Sequence, residues 1–237
     1  MKAPEAMAED ARRHVADGFR TVKLKVGQAE DLPLDVARVA AVRAAVGPGV
    51  AIKIDVNQGW RTPGTAIRAI RQLVPFDPAY VEQPVDQRDL EGLAEVRRAC
   101  GVPIMADEAI HGAHDALRAV GLRACDLMNI KLMKCGGLLG ALAINAIAET
   151  AGIGCRWGRW WSRRSRRRRG CTSRWRCTTC RRSRWGPLML ASDLAPLRDS
   201  YHRDRVTVPD GPGLGLAPDE GAVARYAVGR WDLAGGA

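Results

Sequence analysis

An α/β protein closed into a (β/α) barrel is the fold this sequence predicts. Short apolar stretches alternate with stretches of helical period as far as about residue 155. The joints between them are short and carry Gly and Pro, as parallel strands joined by crossover helices require. The alternation also repeats many times without a dinucleotide-type Gly-rich turn, which favours a barrel over an open doubly wound sheet. At this stage the open sheet remains the alternative.

The elements follow in order. Glu5 to Ala16 has helical periodicity and stops at Gly18, and Phe19 to Val26 reads as a strand. Asp35 to Val46 is a helix ended by Gly47, followed by a strand from Val50 to Val56. A helix from Thr65 to Leu73 leads to a short strand, Ala79 to Glu82. Leu90 to Ala99 leads to Val102 to Ala106, and His114 to Val120 leads to Asp126 to Lys131. Leu138 to Ala151 precedes a strand beginning near Ile153.

The 237 residues, 46% hydrophobic, supply a sizeable core. No run of eighteen apolar residues occurs, so no membrane span is expected. The opening Met1-Lys2-Ala3-Pro4-Glu5 lacks the apolar core of a signal peptide, so the cytoplasm is the expected location. A formal charge of +11 suggests a nucleic-acid partner, but the charge is not spread over the chain. Thirteen Arg and no Lys, Asp or Glu lie between Arg156 and Trp185; the rest holds 24 basic against 26 acidic residues. Outside that segment no nucleic-acid partner is expected.

Polar residues interrupt the strands in a regular way. On Thr21-Val22-Lys23-Leu24-Lys25-Val26 the two-residue strand period puts Lys23 and Lys25 on one face. The same rule aligns Lys53, Asp55 and Asn57, with Ile54 and Val56 opposite. Glu82, Asp107 and Lys131 close the next three strands, and the steps from Lys25 through Asp55 to Lys131 are 30, 27, 25 and 24 residues. Each step is about one strand-plus-helix unit. In a barrel the strand C-termini surround the active-site mouth, so Lys, Asp, Glu, Asp and Lys converge there. A lone Asp at a strand end reads as a helix cap and a lone Lys as a solvated edge residue, but five at one-unit spacing do not. Three converging carboxylates repel unless a cation sits between them, and all-oxygen ligands suit Mg²⁺ better than Zn²⁺.

These motifs resemble the muconate-lactonizing branch of the enolase superfamily. The resemblance rests on Lys23-Leu24-Lys25, Asp55-Val56-Asn57, Val81-Glu82-Gln83-Pro84, Ala106-Asp107-Glu108, the run from Asn129 to Gly137, and Pro209-Asp210-Gly211-Pro212-Gly213-Leu214-Gly215. It implies an incomplete TIM-like (β/α)7β barrel of the enolase C-terminal domain type. It also implies Asp55, Glu82 and Asp107 as Mg²⁺ ligands, Lys25 and Lys131 as acid/base lysines, and Lys23 as an electrostatic helper. The implied chemistry removes a proton α to a carboxylate and stabilises the resulting enolate. Lys131-Leu132-Met133-Lys134-Cys135-Gly136-Gly137 and Gly186-Pro187-Leu188-Met189-Leu190 are most similar to the dipeptide epimerases of the L-Ala-D/L-Glu type. The substrate implied is a small carboxylate, a dipeptide or an N-acyl amino acid. Muconate cycloisomerase, o-succinylbenzoate synthase and N-acylamino-acid racemase remain alternatives. A homo-oligomer is in keeping with the resemblance, as are a capping domain and a first barrel strand preceding the helix at Glu5, neither of which this sequence shows.

Residues 156–185 resemble nothing in that family. They hold five of the seven Trp and three of the seven Cys. Arg with Trp would suit phosphate binding and base stacking, and Cys177-Thr178-Thr179-Cys180 is half a zinc motif without a second pair at suitable spacing. A change of reading frame accounts for more. One back-translation of Arg156 to Ser165, cga tgg ggt cga tgg tgg agt cgg cga tcg, reads two bases later as Met-Gly-Ser-Met-Val-Glu-Ser-Ala-Ile, similar to the family's next strand. Family-like sequence resumes by Gly186, so two compensating frameshifts are expected. In the epimerases an acidic pair before the Gly-Pro holds a substrate ammonium; here Arg182-Ser183-Arg184-Trp185 stands in its place. The chain thus divides into barrel units over 1–155, an aberrant segment over 156–185 expected to be disordered or misfolded, and barrel closure with a tail over 186–237.

Overall fold

The computed structural model describes residues 1–158, the backbone of 201–202 and 205–206, and residues 217–227 and 229. Its elements are α1 (Pro4–Ala16), β1 (Thr21–Lys25), α2 (Leu32–Val46), β2 (Ala51–Asp55), α3 (Pro63–Leu73), β3 (Pro78–Glu82), α4 (Leu90–Ala99), β4 (Ile104–Ala106), α5 (Ala113–Gly121), β5 (Leu127–Ile130), α6 (Leu138–Thr150) and β6 (Gly154–Trp157). Further along lie β7 (Tyr201–His202), β8 (Arg205–Val206) and a helix here named α7 (Glu220–Tyr226).

Strands β1 to β6 form one sheet in chain order, every neighbouring pair parallel. This is the expected α/β arrangement, a curled parallel sheet with its helices outside, as in a TIM-like barrel. Strands β7 and β8 pair antiparallel with each other. The barrel closure expected over 186–237 otherwise falls outside the described residues. Among those described, no helix is long and apolar enough to cross a membrane.

Local chemistry sets the element ends. Asp31 caps α2 by accepting from Leu34 N at 3.0 Å, so that helix starts before Asp35, where periodicity alone began it. Asp89 caps α4 in the same way, accepting from Gly92 N at 2.8 Å. Helix α3 has Thr62 as cap and Pro63 in its first turn, and buries Ala66, Ala69, Ile70 and Leu73 at helical spacing. Against those faces the sheet sets Ile52, Ile54, Val81 and Ile104, all fully buried. The alternate residues of β2, Lys53 and Asp55, lie on the strand's other face, away from that apolar layer.

The buried Asp35 carboxylate ties the loops that follow β1 and β2. Its Oδ2 accepts from Gly27 N and Gln28 N at 2.8 Å and from Trp60 Nε1 at 3.0 Å, while Arg38 pairs with its Oδ1 at 3.0 Å. Gly27 has φ +123°, and a Cβ there would press on the Val56 carbonyl, so the two loops pass at glycine distance.

Two expectations need correction. Strand β2 ends at Asp55, so Asn57 does not continue it; Asn57 and Gln58 take φ values of 46° and 68° in the turn beyond. At the other end, β6 runs on through Arg156 and Trp157, which pair with Asn129 and Ile130 of β5. The first residues of the segment expected to be disordered or misfolded are therefore strand, because sheet hydrogen bonds use only the backbone. Residues 159–185 of that segment lie outside the described residues.

Candidate active site

The strand ends deliver the five expected residues in spatial order. Lys25 ends β1, Asp55 ends β2 and Glu82 ends β3, while Asp107 and Lys131 lie one residue past β4 and β5. Because the sheet follows chain order, the sequence Lys, Asp, Glu, Asp, Lys is also the order around the curled sheet.

Their side chains meet as ion pairs. Lys23 Nζ lies 2.7 Å from Asp55 Oδ2 and also donates to Glu82 Oε2. Lys25 Nζ lies 2.6 Å from the same Asp55 oxygen and donates to Asn57 Oδ1. On the far side Lys131 donates to Asp107 Oδ2, and Lys134 Nζ lies 2.7 Å from Asp107 Oδ1. Asn129 joins the two sides, donating from Nδ2 to Glu82 Oε1 at 2.9 Å while its carbonyl accepts from Lys134 at 3.2 Å. All three carboxylates are buried.

Four ammonium groups therefore surround three carboxylates, and burial makes their balance matter. Burial alone would raise the Asp55 pKa, but Lys23 and Lys25 outweigh it and hold the group down at about 2. Burial also dominates at Glu82, where Asp55 and Asp107 add to it against Lys23, and the pKa rises to about 7. At Asp107 the opposing pull of Lys134 and Lys131 overcomes burial and lowers the pKa. The Lys134 pKa is lowered by burial, against the pull of Asp107.

The loops around these residues are tightly drawn. Gln83, with φ 41°, is fully buried; its Oε1 accepts from Asp107 N at 2.9 Å and Ala109 N at 3.1 Å. Asn57, Gln58 and Gln83 all take positive φ angles in the turns just past β2 and β3. Asn57 Nδ2 donates to Glu108 Oε1 at 2.7 Å, and the buried Glu108 Oε2 has no hydrogen-bond partner among the described residues.

Sequence reasoning assigned no role to Lys134, Asn129, Gln83 or Glu108. The available signal was a strand-end residue with a polar neighbour one to three positions away, which is too common to stand out alone.

Among the described residues no group of three His, Cys, Asp or Glu side chains is arranged to hold a metal ion, and each of the three carboxylates pairs with an ammonium group. The chemistry of the set nonetheless suits Mg²⁺. It offers only hard oxygen donors, Glu82 feels both neighbouring carboxylates, and the Lys23 ammonium already stands as a cation between Asp55 and Glu82.

A family model described as enolase C-terminal domain-like matches residues 6–222. The L-Ala-D/L-Glu epimerase of Bacillus subtilis strain 168 is 39% identical over 223 residues, which are 91% of this chain and 59% of that protein. The hydrophobic dipeptide epimerase of Enterococcus faecalis is 49% identical over 152 residues, 64% of this chain and 42% of that protein. Among solved structures, the dipeptide epimerase of Cytophaga hutchinsonii complexed with Mg and dipeptide D-Ala-L-Val superposes with a TM-score of 0.90 at 32% identity, covering 95% of this chain and 61% of that one. The chain thus spans about half the length of the curated relatives it matches. Those relatives are epimerases, and so isomerases.

Proposed function

This chain belongs to the enolase C-terminal domain-like family, and from that premise we propose that it carries the metal and acid/base machinery of a dipeptide epimerase. The observation that carries the reading is the order around the sheet, with one lysine on either side of three carboxylates. Asp55, Glu82 and Asp107 would hold Mg²⁺, which when bound neutralises the charge that develops on a substrate carboxylate.

The lysines account for the proton traffic. One of Lys25 and Lys131, in its neutral form, takes the α proton and becomes an ammonium, while the C–H bonding pair moves into the adjoining carboxylate. The other, as an ammonium, returns a proton to the opposite face of the same carbon. The configuration inverts, and the lysines exchange protonation states. Lys23, bridging Asp55 and Glu82, holds two of the carboxylates in place. The substrate class is a dipeptide or an N-acyl amino acid. Muconate cycloisomerisation and o-succinylbenzoate synthesis use a similar frame and are the competing chemistries.

Exchange of the α proton of L-Ala-L-Glu with D₂O, followed by proton NMR, tests the reading. Exchange is expected in Mg²⁺ and none in EDTA, in this chain or in a version with the frame of residues 156–185 restored. Exchange that ignores the chelator would sink the reading.

A second reading, an inactive product of a damaged gene, is favoured by one observation at β6. Arg156 Nε and Trp157 Nε1 are buried and have no hydrogen-bond partner among the described residues. Native strands leave such groups unpaired only rarely. DNA sequence across codons 155–186 decides it: a confirmed frame encoding these arginines supports the damaged-gene reading, and a frame encoding family-like sequence there overturns it.

A further inference from the structure

We propose that Lys134 is a positioning residue that leaves Asp107 a single carboxylate oxygen for a divalent cation; this rests on the reading of Asp107 as a metal ligand. After β5 the chain turns sharply. Lys134 N and Cys135 N both donate to the Lys131 carbonyl, at 2.9 and 3.3 Å, and Gly136 and Gly137 take φ values of 72° and 110°. That turn brings the Lys134 side chain back beneath Asp107, where it is 2% exposed.

An ammonium has three N–H donors, and here all three are spent. One goes to Asp107 Oδ1 at 2.7 Å, one to the Asp107 carbonyl and one to the Asn129 carbonyl at 3.2 Å. Lys134 thereby ties the segment after β4 to β5. It has no spare donor for a substrate.

Asp107 is divided between two lysines of different standing. Oδ1 belongs to the locked Lys134 and Oδ2 to Lys131, the residue assigned to proton transfer. When Lys131 turns to substrate, Oδ2 becomes available while Oδ1 stays engaged. The carboxylate is thus presented through one oxygen. Mg²⁺ accepts one oxygen per carboxylate in a strict octahedron, whereas Ca²⁺ readily takes both.

The test is the ratio of Mg²⁺ to Ca²⁺ affinity, measured by calorimetry on the whole chain and on Lys134→Met and Lys134→Arg. Loss of a residue supporting a metal ligand costs about 10- to 100-fold in affinity. The expected result for Lys134→Met is a Mg²⁺ loss in that range with a smaller Ca²⁺ loss, shifting the ratio toward Ca²⁺ by about tenfold. Lys134→Arg keeps the charge and a donor for Oδ1 but not the compact ammonium, so its ratio is expected between those of Lys134→Met and the unmutated chain. A merely structural lysine would lower both affinities together. An unchanged ratio in folded Lys134→Met overturns the inference. Should that variant fail to fold, the same ratio is read on Lys134→Gln, and constancy there overturns it equally. Failure of the unmutated chain to bind Mg²⁺ would instead strike the parent reading, and this inference with it.

Discussion

Each half of the site pairs one locked lysine with one freer lysine, but the halves differ in how far the freer one is enclosed. Around Asp55, Lys23 is 7% exposed and Lys25 is 48% exposed. Around Asp107, Lys134 is 2% exposed and Lys131 is 10% exposed. The Asp55 half is also cross-linked, since Lys23 reaches Glu82 as well and Lys25 reaches Asn57. In the other half, ion pairs of both Lys131 and Lys134 go to Asp107. The difference teaches that similar ion pairs carry unequal weight: what matters is whether the partners left behind have anywhere else to go.

The largest effect expected from this asymmetry is on stability. Asp107→Asn removes the carboxylate with which two enclosed ammonium groups pair and should cost about 3–5 kcal/mol in urea unfolding. Asp55→Asn leaves Lys23 on Glu82 and lets Lys25 turn to water, so about 1–3 kcal/mol is expected. Equal losses would erase the distinction between the halves.

Next comes pH. Glu82 sits between the halves, with its pKa raised from 4.5 to about 7. Across that window the folded protein keeps a proton that the unfolded chain has lost, so this group's contribution to stability falls as pH rises from 4.5 to 7. Glu82→Gln should flatten that slope. The proton must also leave before Glu82 can serve a cation, so Mg²⁺ affinity should fall by about tenfold for each pH unit below 7. Asp55, held at about 2, adds nothing to that slope. A pH-independent Mg²⁺ affinity between pH 5 and 8 would count against the assignment.

The smallest effect concerns β6, where the contrast is between paired and unpaired buried groups. Replacing the Trp157 indole by the isosteric benzothiophene (β-(3-benzothienyl)alanine) keeps the packing and removes an N–H that has no partner among the described residues. A gain of about 1 kcal/mol is expected. A loss would mean that the indole finds a partner beyond those residues.

Much of this was legible in the chain, for particular reasons. The five strand-end residues could be read because each recurs one strand-plus-helix unit after the last, and the period-2 rule put Lys23 and Lys25 on one face, where the structure pairs both with Asp55. Asn57 was misread because that rule holds only while the strand lasts, and β2 stops at Asp55. Lys134 carries no signal in the sequence, since its contact with Asp107 depends on a turn that brings it back across 27 residues of sequence. Asp35 looked like an ordinary helix residue, and only the fold shows it gathering two loop amides and an indole. At Arg156 the composition changes abruptly, but nothing in composition says that a strand's backbone will carry on two residues further.

The central claim is that three acidic side chains answer to one divalent ion. Isothermal titration of Mg²⁺ into the chain and into Asp107→Asn at pH 8 tests it most directly. One site is predicted in the former and, in a folded variant, at least about a hundredfold weaker binding. Equal affinity in the two proteins would contradict it.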